Sequence, residues 1–304
     1  MGFVCLAAVR DVYLGGLFQR INPLLIAFIA FTLCTVVFLP AALVAFRESL
    51  LLLWRRPLDL LWVNVASASA WLAFMFALKL IEPSVVQILY SGIGPLSVIW
   101  IESSFSSAGS ELSLTRSERI AYLTLLAALA FSAVIVLAGL SGMSGESTAD
   151  ATLGVILAVG GGVAISVVTM QCRRLNDAGV APSALLSLRF PAAAASAAAV
   201  ISLSPSGLAG ALSSVDAVVV VAALLIVVPS YVNQVAISLA SPLTLRVVLA
   251  VGPVLIFFGQ MIEGRLTTSA YSLLAAIFYG FAAVFAATAR QRAIRARHKA
   301  SVAA

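Results

Sequence analysis

Residues 23–46 read PLLIAFIAFTLCTVVFLPAALVAF, a run from Pro23 to Phe46 with no charged side chain before Arg47. A helix rises about 1.5 Å per residue, so roughly 20 mainly apolar residues cross the ~30 Å of hydrocarbon in a bilayer. This run is long enough to span, and too apolar to lie on the surface of a water-soluble domain. Runs of the same kind recur along nearly the whole chain. Hydrophobic residues make up 62% of it, charged residues 10%, and the mean hydropathy is +1.12. With 18 Lys/Arg and 12 Asp/Glu, 304 residues cannot be coated by charge. The expected class is a polytopic, all-α membrane protein.

Ten spans are expected. They run Gly2 to Gln19, Pro23 to Phe46, Leu60 to Leu80, Ser84 to Ile101, Arg119 to Leu140, Thr152 to Cys172, Ser183 to Leu203, Ala217 to Leu239, Pro242 to Ile262 and Ser269 to Ala289. Pro, Gly, Ser and charges punctuate them, as at Arg55-Arg56-Pro57, Glu82-Pro83, Ser141-Gly142 and Asn176-Asp177-Ala178-Gly179. No stretch is long enough for a separate soluble domain. The short first span is read as a helix of the bundle, because no basic segment precedes it and no small-residue cleavage site follows it.

Orientation follows from Lys and Arg. With the N-terminus in the cytoplasm, the inside loops and tail hold Arg47, Arg55, Arg56, Arg116, Arg119, Arg173, Arg174, Arg290, Arg292, Arg295, Arg297 and Lys299. The outside loops hold Arg20, Lys79 and Arg265. Both termini are thus expected in the cytoplasm, as for a bacterial-type inner-membrane protein. The net charge of +6 reads as a topology signal, with no nucleic-acid partner, and the basic tail is expected to rest on anionic lipid headgroups.

The halves echo one another. Gly94-Pro95-Leu96 in the fourth span matches Gly252-Pro253-Val254 in the ninth at an offset of 158 residues, and Asn22-Pro23 before the second span faces Ala181-Pro182 before the seventh. Five spans per half place the second copy upside down, the plan by which inverted repeats build alternating-access transporters. The division is 1–140 for the first five-helix repeat, 141–151 for a linker, 152–289 for the second repeat and 290–304 for the basic tail.

Ala77-Leu78-Lys79-Leu80-Ile81-Glu82-Pro83-Ser84 with Gly94-Pro95-Leu96, then Ser187-Leu188-Arg189-Phe190 and the Gly252-Pro253 helix ending in Glu263-Gly264-Arg265-Leu266, resemble the EamA-type members of the drug/metabolite transporter superfamily. The first helix departs from that pattern, with Val9-Arg10-Asp11 where many members carry Trp-Gly. The resemblance implies a carrier of small organic metabolites, more often an exporter.

Charges within spans must be solvated or paired. Arg10 and Asp11 stand about 100° apart on a helix, so each is expected to find a partner elsewhere, Asp11 beside another helix's Arg. Arg189 and Arg246 lie about 9 Å and 6 Å from the cytoplasmic ends of their spans. With Arg10 they form either an electropositive vestibule suited to a carboxylate or phosphate, or a set of snorkelling side chains. Tyr231, Asn233 and Gln234 follow Pro229 in the eighth span; Asn64, Trp71, Gln87 and Tyr90 are the matching polar and aromatic candidates. Together they suit a small-molecule pocket, and singly they suit interhelical hydrogen bonds. Pro95, Pro229 and Pro253 are candidate helix hinges.

Gly154, Ala158, Gly162 and Ser166 form a small-residue packing stripe. Gly160-Gly161-Gly162 lacks the following Lys-Ser/Thr of a phosphate loop. Cys5, Cys34 and Cys172 are scattered, and the one histidine is His298 in the tail. No metal or cofactor is expected, and no enzyme, since a Ser–His pair and paired intramembrane carboxylates are missing. The expected function is export of an amino acid or related carboxylated compound, by a monomer or homodimer, with Asp11 as the sole embedded acid for proton coupling. The other readings are a multidrug cation carrier and a non-transporting scaffold or lipid-modifying enzyme.

Overall fold

The computed structural model describes residues 2–105, 114–143, 147–239 and 248–303, and among them every regular element is a helix. In chain order these are α1 (Gly2–Leu17), α2 (Pro23–Ala45), α3 (Arg47–Trp54), α4 (Pro57–Leu80), α5 (Pro83–Phe105), α6 (Arg116–Leu137), α7 (Thr148–Asp177), α8 (Pro182–Arg189), α9 (Pro191–Ser202), α10 (Gly207–Ser213), α11 (Ala217–Leu239), α12 (Gly252–Glu263) and α13 (Ala270–Ala303). Among the described residues eight helices, counting α8–α9 as one, are long and apolar enough to cross a membrane. α1 and the segment Val248–Glu263 are shorter.

The starts of these helices are written locally. Proline opens α2, α4, α5, α8 and α9, where its missing N–H has no helical partner to lose. Asn22 caps α2 by accepting from Leu24 N at 3.0 Å, and Thr115 with Glu118 forms a reciprocal capping box on α6.

The structure departs from the expected spans in three respects. The seventh span is broken at Phe190 into α8 and α9. The last helix runs past Ala289 to Ala303, so the basic tail continues it. Two short helices, α3 and α10, occupy connections read as loops. The first part of the ninth span, residues 242–247, lies outside the described residues.

Side-chain bonds at the helix ends define two ends of the bundle. At one, the Glu82 carboxylate accepts from Gly142 N at 2.7 Å and from Ser272 Oγ at 2.6 Å, and Ser269 Oγ donates to Leu140 O. At the other, Arg290 donates to Glu118 at 3.0 Å, and Ser49 Oγ accepts from Ala181 N at 3.0 Å. Each helix α4, α6, α7 and α13 has one terminus at each end, so α6 and α13 are antiparallel. Of the four tryptophans, Trp54, Trp62 and Trp100 lie exposed towards the Glu118 end, where an interfacial belt would sit.

α7 packs along α4 and α5, and α1 packs along α11 and α12. α2 lies against α11 and α8–α9, α9 lies against α4, and α6 lies against α13. The α7 stripe lets backbones approach: a Cβ on Gly154 would come within 2.6 Å of Ile81 Cγ2, and one on Gly162 would strike the Tyr90 carbonyl. The outer faces stay apolar, with Val44, Ile262 and Phe281 among the most exposed side chains. That surface is suited to lipid rather than water.

Candidate functional site

α8 stops because the next helix opens on Pro191, which has no N–H to offer to Ser187. In an unbroken helix Ala192 N–H would donate to Leu188 O. Here the Asn64 carboxamide stands between them: Ala192 N donates to Asn64 Oδ1 at 3.2 Å, and Asn64 Nδ2 donates to Leu188 O at 2.7 Å. Nδ2 also donates to Leu60 O at 3.0 Å, within α4. A side chain inserted into the helical ladder is one of the recognised causes of a kink.

Arg189 sits in the opened turn and is only 3% exposed. Its Nε donates to Ser67 Oγ and its Nη1 to Gln234 Oε1, both at 3.0 Å. The guanidinium carbon lies 5.0 Å from the Phe190 ring centroid. No carboxylate pairs with Arg189 among the described residues. Arginine stays charged at any physiological pH, so this is a buried cation held by neutral groups.

Arg10 and Asp11 pair with each other, Nε to Oδ1 at 2.6 Å, and both are buried. This corrects the expectation that each would look to another helix. The angular separation of neighbours is real, but arginine's long stem can fold back, and in a low-dielectric interior the nearest counter-charge dominates. The Arg10 guanidinium also lies over Trp71 and Phe74, at 5.2 and 5.5 Å.

An aromatic cluster joins the two arginines. Phe31 stacks on Phe190 at 4.8 Å and meets Trp71 edge-on at 5.6 Å, and Phe74 lies 4.6 Å from Tyr90. Asp11 Oδ2, Trp71 Nε1 and Ser230 Oγ are buried with no hydrogen-bond partner among the described residues.

The remaining candidates are dispersed. Gln87 is buried beside Gly252. Asn233 is half-buried on α11. Tyr231 is 40% exposed and stacks on Phe38 at 5.1 Å, on the outer side of α2 and α11 rather than among the arginines. Arg246 lies outside the described residues. Pro95 and Pro229 lie within helices that run through them, and Pro253 is the second residue of α12, which Val251 caps. The break that shapes the centre is at Pro191 instead.

Sequence reading passed over Ser67, Phe31 and Phe74, and met Phe190 only in the resemblance. Ser67 and Phe74 had a signal, since Asn64, Ser67, Trp71 and Phe74 recur at helical spacing on one face of α4. Glu82, seen only as punctuation and resemblance, proves to be a buried carboxylate accepting from Ser84, Gly142 and Ser272.

No family model matches this chain, and no curated protein matches it. It is similar to a solved crystal structure described only as that of a protein, with a TM-score of 0.63 and 20% identity over 95% of this chain and 96% of that one. That likeness shows the shared fold alone. The class defined by the fold is an all-helical membrane protein with a polar centre.

Proposed function

We propose that this chain is an alternating-access carrier of a small organic solute bearing a carboxylate, most simply an amino acid or a related acid, and that it works as an exporter. The observation that carries this reading is Arg189. A buried cation without a counter-ion costs several kcal/mol in an apolar bundle, so its neutral cradle is best understood as a site for a visiting anion. Guanidinium groups bind carboxylates with two parallel hydrogen bonds. Phe190, Phe31 and Trp71 offer an apolar wall beside it. Arg10, matched by Asp11, forms the far side of the same cluster.

A division into ten spans and two inverted halves belongs to this proposal, and the helix packing is in keeping with it. Exchanging α1 with α7, α2 with α8–α9, α4 with α11, α5 with α12 and α6 with α13 carries several of the helix packings into one another. Thus α1 on α11 and α12 corresponds to α7 on α4 and α5, and α2 on α11 corresponds to α9 on α4. An axis in the membrane plane relating such halves gives two interconvertible shapes around one centre. The end bearing Glu118 and Arg290 gathers most of the Lys and Arg, so we place it and both termini in the cytoplasm of an inner-membrane protein.

The test is a thermal-shift screen of the purified protein against carboxylated metabolites and organic amines, followed by counterflow in proteoliposomes. Carboxylates should stabilise the wild type and fail to stabilise Arg189→Gln. Stabilisation by amines alone, unaffected by Arg189→Gln, would overturn the proposal.

A further inference from the structure

The structure assigns Asn64 as the positioning residue of the Arg189 site, its carboxamide serving as a removable rung of the α8–α9 helix. This rests on the reading of Arg189 as the anion site. The orientation of the amide is determined by its partners: Nδ2 faces two carbonyls, Leu188 O and Leu60 O, and Oδ1 faces the Ala192 N–H. Both N–H groups and the carbonyl are engaged by backbone. Asn64 therefore holds the turn rather than reaching for solute. Aspartate lacks the donors, leucine lacks both functions, and glutamine is a methylene too long for the same gap.

The consequence for Arg189 is geometric. Ser67 lies three residues after Asn64, on the same face of α4, and accepts from Arg189 Nε at 3.0 Å. One helix face thus opens the turn and receives the guanidinium that the opening releases. Gln234 on α11 completes the cradle from the opposite side. If Asn64 withdraws, Ala192 N–H and Leu188 O can bond to each other. The turn then closes, and Arg189 rotates away from Ser67 and Gln234. A shift of α4 against α8–α9 would therefore change the presentation of the anion site without any solute contact to α4's amide.

Asn64→Leu should accordingly raise the apparent KM for the carboxylate about tenfold, the scale of one lost buried polar contact, while leaving the maximal rate within about twofold. In the Arg189→Gln background the same substitution should add almost nothing, because Asn64 acts through Arg189. Hydrogen exchange of the segment 186–194, read without any solute, should differ between wild type and Asn64→Leu. If Asn64→Leu fails to accumulate, the double variant Asn64→Leu/Pro191→Ala restores the missing N–H, and it should fold with a continuous helix yet retain the weak affinity. Additive losses in the Arg189→Gln background, or wild-type KM together with unchanged exchange, would overturn the assignment. Absence of carboxylate transport with altered exchange would instead sink the carrier reading and leave the rung standing.

Discussion

Arg189 on α8 donates through Nη1 to Gln234 Oε1 on α11 at 3.0 Å, and both side chains are buried. The bond closes the centre of the bundle between two helices joined by no direct connection. It uses a neutral acceptor where a carboxylate would have cancelled the charge. Under the proposed function, this arrangement keeps the attraction for an anion while the resident guanidinium remains oriented.

The first prediction follows from that charge. Arg189→Gln should weaken carboxylate binding about a hundredfold, since a charge-assisted bidentate contact is lost. Arg189→Lys should recover little of it, because an ammonium lacks the planar fork. Isothermal calorimetry on detergent-purified protein checks both. Wild-type affinity in either variant would remove Arg189 from the site.

The Arg10–Asp11 pair predicts a different behaviour. Arg10→Met leaves Asp11 buried without its partner and should destabilise the fold by about 3 kcal/mol. Arg10→Met/Asp11→Asn removes both charges and should recover most of that loss. Melting in detergent, followed through the yield of folded protein, measures the recovery. Equal damage in the single and double variants would show that the pair is not what stabilises α1.

Glu82 accepts from Ser84 Oγ, Gly142 N and Ser272 Oγ, which ties the α4–α5 turn to the segment after α6 and to the start of α13. Glu82→Ala strands these donors and should lower stability by about 3 kcal/mol, whereas Glu82→Gln keeps an acceptor and should lose about half as much. Denaturation of the two variants side by side tests the order. A harmless Glu82→Ala would mean that these groups find other partners.

Topology gives the fourth prediction. Reporter fusions after Ala149 and after Ala304 should report opposite sides of the membrane, with the Ala304 fusion inside. Glu118→Gln and Arg290→Gln should together lose less stability than the sum of their separate losses, because the native side chains pair there at 3.0 Å. Fusions on the same side would refute the orientation, and fully additive losses would refute the Glu118–Arg290 pairing that fixes α6 against α13.

The sequence by itself determined the helices. Run length, proline at helix starts and the Asn22 and Thr115 caps are local properties, and a bilayer demands that each span satisfy its own backbone. The concentration of Lys and Arg in alternate connections was legible for the same reason. Which side chains meet was not. In lipid the outside of a helix is as apolar as the inside, so residues 217–228 of α11 carry no stripe that separates the two, and Tyr231 read like its neighbour Gln234 although one faces outward and the other the centre. The break at Phe190 needed an amide 128 residues away from Ala192, and a proline alone did not mark it, since Pro95 and Pro229 sit in unbroken helices. Arg10 turned to Asp11 because the packed interior offered no nearer counter-charge among the described residues. Tertiary structure decided these points because long-range packing chooses among partners that helical periodicity leaves equivalent.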